Sequence, residues 1–330
     1  MNMHLLVREQ KTEYISLLRA FAIFSVVCAH VTDSNSNLLN LIFSSIGTYG
    51  VGVFFILSGY FFFLDQRSPY EFAKRKCISI IIPWLFCGTL DWLYVVVRKG
   101  GLSLVKWALS VLVYSHYYYL TVLLIFYVLM WKLRRNSKIC TVLCAVSLFS
   151  MWLTGKGILD VYPYINPLNW LFYFIIGIEF SRSNCLERIS QLAKKMLFCL
   201  VPFMFFSMSW VIYEGKAVSY WYHGTVVSIS LMILTVLGWC RYLCDDISSQ
   251  SRVIRVFIWI GRYSFPIYLL HMPFAGVVKH ITDILNNWFI QLGMPFVVLG
   301  IVSAIIYMIS KIPFHPKIKS VIKLLLGIRV

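Results

Sequence analysis

An arginine and a histidine lie inside the first long apolar run of the chain, Tyr14 to Val31. Arg19 and His30 are 11 residues apart, which is about 20° past three full turns of an α-helix and a rise of roughly 16 Å. Both side chains therefore share one helical face, near opposite ends of the run. Charged and ionisable groups are costly in a membrane span unless they face a protected interior, so they indicate a functional site. Taken singly, Arg19 also fits a snorkelling side chain and His30 an interhelical hydrogen bond.

Charged residues near the ends of other apolar runs offer a second type of chemistry. Lys74, Arg75 and Lys76 are consecutive and precede the third run. They can bind the phosphates of a polyanion, for which the fork of arginine donors is well suited. They can also simply be the cations that hold a loop in the cytoplasm. Glu179 is expected to form an ion pair with nearby Arg182 rather than to act in catalysis.

Four further residues can contact a substrate. Asp91 lies within an apolar run and either pairs with a buried cation or orients a histidine. His116 is followed by three tyrosines including Tyr119, a pattern that fits an aromatic belt at the membrane interface or a platform facing a sugar. His271 ends the run in GRYSFPIYLLHMPF and fits an interfacial histidine as well.

The composition identifies the element that must position these groups as a membrane helix bundle. The chain has 330 residues, of which 60% are hydrophobic and 13% charged, and its mean hydropathy is +0.77. Only a polytopic membrane protein fits these values. We predict an all-α single domain over residues 1–330 with about ten spans, at 14–32, 46–64, 78–97, 108–131, 139–154, 166–181, 196–213, 223–243, 254–277 and 292–312.

The distribution of charge predicts the orientation of the bundle. The net charge is +17, and most Lys and Arg fall between apolar runs on the side of the N-terminus. The positive-inside rule explains this pattern better than nucleic-acid binding does, and it predicts that both termini are cytoplasmic.

The nine cysteines show no CxxC or Cys/His spacing, so no metal site is expected. Signatures of P-loop ATPases, serine hydrolases, zincins and Rossmann enzymes are absent from the sequence.

An ordered set of segments follows Arg19 and His30, which are separated by ten residues. The segments are GVGVFFILSGYFF from Gly50, KRKCISIIIPW from Lys74, HYYYLTVLLIFYVL from His116, WLFYFIIGI from Trp170 and GRYSFPIYLLHMPF from Gly261. Together with the arginine, ten residues, histidine pattern, this set resembles the membrane-bound acyltransferase 3 family, whose members O-acylate surface polysaccharides.

The resemblance implies transfer of an acetyl group from cytoplasmic acetyl-CoA to a hydroxyl of a lipid-linked surface glycan, such as the O-antigen of lipopolysaccharide. The enzyme would lie in the bacterial inner membrane. It implies that His30 acts as general base, or carries the acetyl group as a transient intermediate, and leaves these two open. Residues expected to bind CoA are Arg19, Lys74, Arg75 and Lys76; those expected to contact the substrate are His116, Tyr119, His271 and Asp91.

The expected partners are acetyl-CoA, a lipid-linked polysaccharide or oligosaccharide and membrane lipids, with no permanently bound cofactor, no metal and no nucleic acid. A homo-oligomer is left open.

Two other functions also remain open at this point. One is a secondary transporter whose substrate or proton path is formed by Arg19, His30 and Asp91. The other is a non-catalytic partner of a glycan assembly system.

Overall fold

The chain folds into a bundle of α-helices, as the apolar runs predict. The computed structural model describes residues 3–32, 38–114, 116–159, 162–216, 219–246, 251–285, 288–313 and 315–328, and contains no β-strand within them. The helices are α1 Met3–Val31, α2 Leu38–Gly47, α3 Gly50–Leu64, α4 Pro69–Lys76, α5 Ile82–Lys99, α6 Leu104–Leu109, α7 Tyr118–Leu133, α8 Ser137–Gly155, α9 Leu168–Arg182, α10 Leu186–Lys195, α11 Leu197–Tyr213, α12 His223–Asp245, α13 Arg252–Arg262, α14 Ser264–Leu285, α15 Trp288–Lys311 and α16 Pro316–Leu325. Two five-residue π-helical turns are present: Cys77–Ile81 directly precedes α5, and Ser110–Tyr114 lies in the connection between α6 and α7.

Six helical segments in the described ranges are long and apolar enough to cross a bilayer, and three bent helix pairs raise the number to as many as nine. Every one of the ten predicted spans overlaps a helix. Helix α9, which corresponds to the predicted span 166–181, has only 15 residues and is not among the segments long enough to cross a bilayer. The fold class is therefore confirmed, and the exact number of membrane crossings stays a prediction.

The predicted span 254–277 is wrong as a single helix. It is divided into α13 and α14, which meet at an angle of 85°. The reason lies in the distribution of polar residues: Arg252 and Arg255 on α13 are exposed while Ile254 and Ile258 are buried. A helix with one charged face and one apolar face lies along an interface rather than across a bilayer. The bend leaves Arg262 at the end of α13.

Helices α3 and α9 pack closely in the centre of the bundle because glycines face each other's backbone. A Cβ atom added to Gly59 would lie 2.0 Å from the carbonyl oxygen of Phe174, and one added to Gly177 would lie 1.9 Å from that of Ile56. Small residues permit such contact between helices in a membrane. The small-residue pattern in the second apolar run thus serves helix packing at this position.

Hydrogen bonds join the short connection between α2 and α3 to helix α1. Ser25 donates a hydrogen bond to the carbonyl of Ile46 at 2.6 Å and accepts one from the backbone N–H of Gly50 at 2.9 Å. The hydroxyl of Tyr49 donates to the carbonyl of Phe21. Helix ends leave unpaired backbone groups that need such partners. These bonds fix α1 against α3 close to His30.

The basic segment predicted as a loop is helical. Ser68 and Glu71 form a capping box at the start of α4, and Pro69 occupies a first-turn position where its missing N–H is harmless. The helix then continues through the first π-helical turn into α5. That turn directly precedes Pro83, whose ring would clash with a carbonyl in a regular helix. The three basic residues are therefore presented by a rigid element.

Two buried or half-buried arginines hold the ends of helices together. Arg134 is 5% exposed and donates to the carbonyls of Phe62 at 2.6 Å and Asp65 at 3.1 Å. It thereby caps the end of α3. The predicted ion pair between Arg182 and Glu179 is present, which confirms that interpretation.

Candidate active site

A cavity of about 900 Å³ opens among α1, α3, α4, α7 and α14. Its lining combines basic side chains with aromatic and aliphatic ones. The basic residues are Arg19, Arg67, Arg75, Lys76 and Arg262. The acidic member is Asp65, which forms an ion pair with Arg67 at 3.2 Å. The volume falls in the usual range for a site that binds a small organic molecule, and the excess of cations favours an anionic one.

Helical elements hold these cations in place. The guanidinium of Arg19 lies over the ring of Phe61, 5.1 Å from its centroid. Lys76 donates to the hydroxyl of Tyr127 at 3.1 Å. Arg75 is exposed on α4. Lys74, predicted to act with them, is exposed and does not line the cavity.

Arg262 is a cavity residue that the sequence interpretation missed. A single span over residues 254–277 would place Arg262 inside the membrane. The signal that identifies it is the helical spacing of Arg252, Arg255 and Arg262, which marks α13 as an amphipathic helix ahead of the apolar segment.

Two tyrosines form a buried wall of the cavity. Tyr119 and Tyr268 are 7% and 4% exposed, and their ring centroids are 5.8 Å apart. The hydroxyl of Tyr119 is 3.1 Å from that of Ser58 on α3. The hydroxyl of Tyr268 donates to the backbone carbonyl of His116. This wall separates the cavity from a group of histidines.

Three imidazoles from α1, the α6–α7 connection and α14 come together behind this wall. The ring centroid of His271 lies 5.2 Å from that of His30 and 5.2 Å from that of His116. The centroids of His30 and His116 are 6.1 Å apart. We call these three residues the histidine cluster. The sequence predicted each of them as a site residue, and the fold places all three in one place.

Burial and hydrogen bonding distinguish the members of the cluster. His271 is fully buried and His116 is 9% exposed, so both are inside the protein rather than in an interfacial belt. His271 Nδ1 is 2.8 Å from the carbonyl oxygen of Tyr268. Among the described residues, neither His116 Nε2 nor His271 Nε2 has a hydrogen-bond partner. His30 is half-buried, which makes it the member of the cluster most open to a reacting group.

Asp91 contacts the cluster through a tyrosine. The hydroxyl of Tyr117 lies 2.6 Å from Asp91 Oδ2 and 3.0 Å from the carbonyl oxygen of Leu269. The Tyr117 ring packs on His116 with centroids 3.8 Å apart. Asp91 does not line the cavity. Of the two alternatives for this carboxylate, the arrangement is closer to orientation of a histidine, with Tyr117 lying between Asp91 and His116.

The second π-helical turn, Ser110–Tyr114, supports the chain just before His116. Trp84 Nε1 donates to the carbonyl of Val111 at 3.3 Å, and Thr121 donates to the carbonyl of Leu112 at 2.6 Å. Such turns occur frequently at functional sites. The bonds from α5 and α7 therefore fix the position from which His116 enters the cluster.

The cationic cavity can hold an anionic ligand, and the imidazoles next to it can accept or donate a proton. The profile of a family described as an acyltransferase domain matches residues 12–310. The chain belongs to the acyltransferase 3 family. The match includes all the residues of the histidine cluster and all the cavity cations. No curated protein and no solved structure matches the chain.

One part of the cavity lies outside the matched residues. Gly327, which follows α16, lines the cavity and packs near Phe265 and Pro83. Its φ angle of +67° requires a glycine. The segment that follows α16 therefore contributes to the wall of the site. Within the described ranges, no group of three or more His, Cys, Asp or Glu side chains is arranged to hold a metal ion.

Proposed function

We propose that this membrane acyltransferase moves an acetyl group from cytoplasmic acetyl-CoA to a hydroxyl of a lipid-linked surface glycan, such as O-antigen, in the bacterial inner membrane. The observation that carries the proposal is the contact between a cationic cavity and the histidine cluster through Tyr268, whose ring centroid is 5.6 Å from that of His116 and 5.9 Å from that of His271.

The cavity suits CoA at one end and its thioester at the other. CoA carries several phosphate groups and a thin pantetheine arm, so it needs cations at the mouth and a narrow apolar path beyond it. Arg75, Lys76 and Arg262 supply the cations. Arg19 also lines the cavity and lies on α1, the helix that carries His30. The separation of Arg19 and His30 along the helix is roughly 16 Å. We assign the basic residues to donor binding on the cytoplasmic side.

His30 then acts on the acceptor. Its imidazole takes the proton of the glycan hydroxyl as the oxygen attacks the thioester carbonyl, and a C–O bond forms. The C–S bond breaks, and the CoA thiolate recovers the proton from the imidazolium of His30. The products are the acetyl ester and CoA with a free thiol. In the alternative, a ring nitrogen of His30 attacks the thioester carbonyl first, the C–S bond breaks, and CoA leaves with the imidazole proton. The glycan hydroxyl then takes the acetyl group from His30 and returns a proton to the ring, so the products are the same.

Tyr119 and Tyr268 must move apart or rotate for the thioester to meet His30, because their rings form the wall between the cavity and the cluster. In the absence of that movement the cluster is shielded from the cytoplasm. Shielding of this kind limits hydrolysis of a reactive acyl donor. A wall of two aromatic rings is therefore consistent with transfer to a glycan rather than to water.

The test uses the purified protein in proteoliposomes with ¹⁴C-acetyl-CoA and lipid-linked glycan extracted from the source membranes. We expect label to reach the glycan. We expect Arg19→Ala to raise the KM for acetyl-CoA more than Arg19→Lys, since a cation at this position supports donor binding. The control is His223→Gln, because His223 is exposed at the start of α12 and should leave transfer unchanged.

Two results would contradict the proposal. Absence of label on any extracted glycan, with the protein folded and the donor intact, would refute the acceptor assignment. Equal KM values for Arg19→Ala, Arg19→Lys and wild type would refute the role of Arg19 in donor binding. Uptake of a soluble anion into the proteoliposomes without transfer would favour a transporter instead.

A further inference from the structure

His271 is the most restricted imidazole of the histidine cluster. Its side chain is 0% exposed, and its Nδ1 atom lies 2.8 Å from the carbonyl oxygen of Tyr268. A carbonyl oxygen only accepts hydrogen bonds, so Nδ1 carries the proton and donates it. In the neutral ring Nε2 is then a bare acceptor. The backbone of α14 thus sets the tautomer of this residue.

The Nε2 atom of His271 is buried and has no hydrogen-bond partner among the described residues. A buried acceptor without a donor is energetically unfavourable, and native proteins rarely keep one without a purpose. The other two members of the cluster carry ring nitrogens able to donate, and their ring centroids both lie 5.2 Å from that of His271. A donor that turns toward this nitrogen would be bound favourably.

The distance to His30 fits such a donor. A ring nitrogen lies about 1.2 Å from the centre of an imidazole, so with an N···N distance of about 2.9 Å two hydrogen-bonded rings have centroids up to about 5.3 Å apart. The centroids of His30 and His271 are 5.2 Å apart, with an angle of 50° between the ring planes. The separation is that of a hydrogen-bonded pair, and only the rotation of the half-buried His30 ring is needed. His116 lies at the same centroid distance from His271, 5.2 Å, but its ring is buried and packed on that of Tyr117 at 3.8 Å, so the half-buried His30 is the ring that is free to rotate.

We propose that His271 is a positioning residue for the transfer reaction: its Nε2 atom accepts a hydrogen bond from one ring nitrogen of His30 and thereby leaves the other as the base that faces the acceptor. The inference rests on the proposed function of His30. A general base commonly needs a third group that fixes its orientation and tautomer. Catalytic hydrogen bonds of this type often tighten only when substrate binds.

The hydrogen bond also affects the charge that develops during the reaction. When His30 takes the proton of the hydroxyl, it becomes an imidazolium with two N–H groups. The one directed at His271 remains bonded to a neutral acceptor, which stabilises the cation without removing its proton. The other N–H returns its proton to the departing thiolate. His271 is therefore neutral throughout the cycle.

Two substitutions separate this role from a structural one. His271→Asn places an amide nitrogen near the position of Nδ1, where it still donates to Tyr268, but has no atom at the position of Nε2. His271→Gln is longer and places an amide oxygen, an acceptor, near the position of Nε2. We expect kcat to fall at least 100-fold in the Asn variant, and the Gln variant to keep at least ten times the activity of the Asn variant. The KM for acetyl-CoA should be unchanged in both.

The outcomes distinguish the inference from the proposed function. Wild-type activity in the Asn variant, or higher activity in Asn than in Gln, would overturn the role of Nε2 while leaving the proposed function intact. Failure of wild type to acylate the glycan would refute the proposed function instead. Equal loss in both variants, with unchanged thermal stability, would also overturn the inference.

A measurement without substrate tests the tautomer directly. In protein labelled with ¹⁵N-histidine, each of the seven histidines is assigned by its own substitution. We expect the His271 signals to show a protonated Nδ1 and an unprotonated Nε2, and the His30 signals to shift in His271→Asn but not in His223→Gln. A protonated Nε2 on neutral His271 would overturn the inference, whatever the enzyme does.

Discussion

Arg262 provides a test of the donor site that does not disturb the bundle. It lies at the end of α13, lines the cavity with Arg19 and Lys76, and is exposed. Substitution by glutamine removes the charge and keeps a polar side chain of comparable length. We expect weaker use of acetyl-CoA and an unchanged maximal rate, because we assign Arg262, which lines the cavity, to the phosphates of the donor and not to the reacting groups.

The size of the effect follows from its exposure. Two unit charges about 4 Å apart interact by about 1 kcal/mol in bulk water and by about 4 kcal/mol at an effective dielectric constant of about 20. Exposed ion pairs measured in proteins contribute about 0.2–1 kcal/mol. We take the upper end, about 1 kcal/mol, since CoA carries several negative charges. That corresponds to a rise in KM of about fivefold, as about 1.4 kcal/mol is a factor of ten.

The assay is release of the CoA thiol in proteoliposomes at several acetyl-CoA concentrations and at low and high salt. The matched control is Arg255→Gln, because Arg255 lies on the same helix and is exposed but does not line the cavity. At high salt the Debye length falls to a few Å, so the difference between Arg262→Gln and wild type should shrink.

The reasoning would be refuted if Arg255→Gln raised the KM as much as Arg262→Gln. In that case the effect would come from the general charge of α13 at the membrane surface and not from the cavity. An Arg262→Gln variant that lowered kcat with an unchanged KM would equally contradict assignment of this residue to donor binding.

The other predictions concern the packing and the walls of the site. Gly177→Ala should destabilise the protein by about 1–3 kcal/mol, because its Cβ would overlap a backbone carbonyl of α3. The control Gly300→Ala should not destabilise it, because a Cβ there meets nothing within 4 Å. Equal melting temperatures of the two variants would contradict the close contact. Arg134→Ala should lower the free energy of unfolding by about 1.5–3 kcal/mol, because it removes two charge-assisted hydrogen bonds at the end of α3. The control Arg135→Ala, at an exposed position, should have a melting temperature close to that of wild type. Deleting α16 and the residues after it should weaken acetyl-CoA binding, measured by equilibrium dialysis, and unaltered binding would show that this wall is dispensable.

Local patterns in the sequence predicted much of this site. The shared face of Arg19 and His30 follows from the geometry of one helix, and the apolar runs predicted the bundle. His116 and His271 were each identified as candidates. Their approach to His30 was not derivable, because it depends on how α1, α7 and α14 pack, and no local spacing records that arrangement.

Two errors came from reading apolar content without its direction around the helix. The segment before Tyr263 is amphipathic and the one after it is not, yet both raise the average hydropathy in the same way. As a result the 85° bend and the role of Arg262 were missed. Helix α9 is also apolar, but it has only 15 residues, so the crossing assigned to residues 166–181 stays a prediction.

The central claim is that donor binding in the cationic cavity and proton transfer in the histidine cluster are successive parts of one reaction. A single-turnover experiment tests it, with ¹⁴C-acetyl-CoA bound to saturation and lipid-linked glycan then added. We predict that His30→Ala binds the donor as wild type does and transfers label at least 100-fold more slowly, as expected for loss of a general base or nucleophile. Transfer at the wild-type rate in His30→Ala would contradict the account.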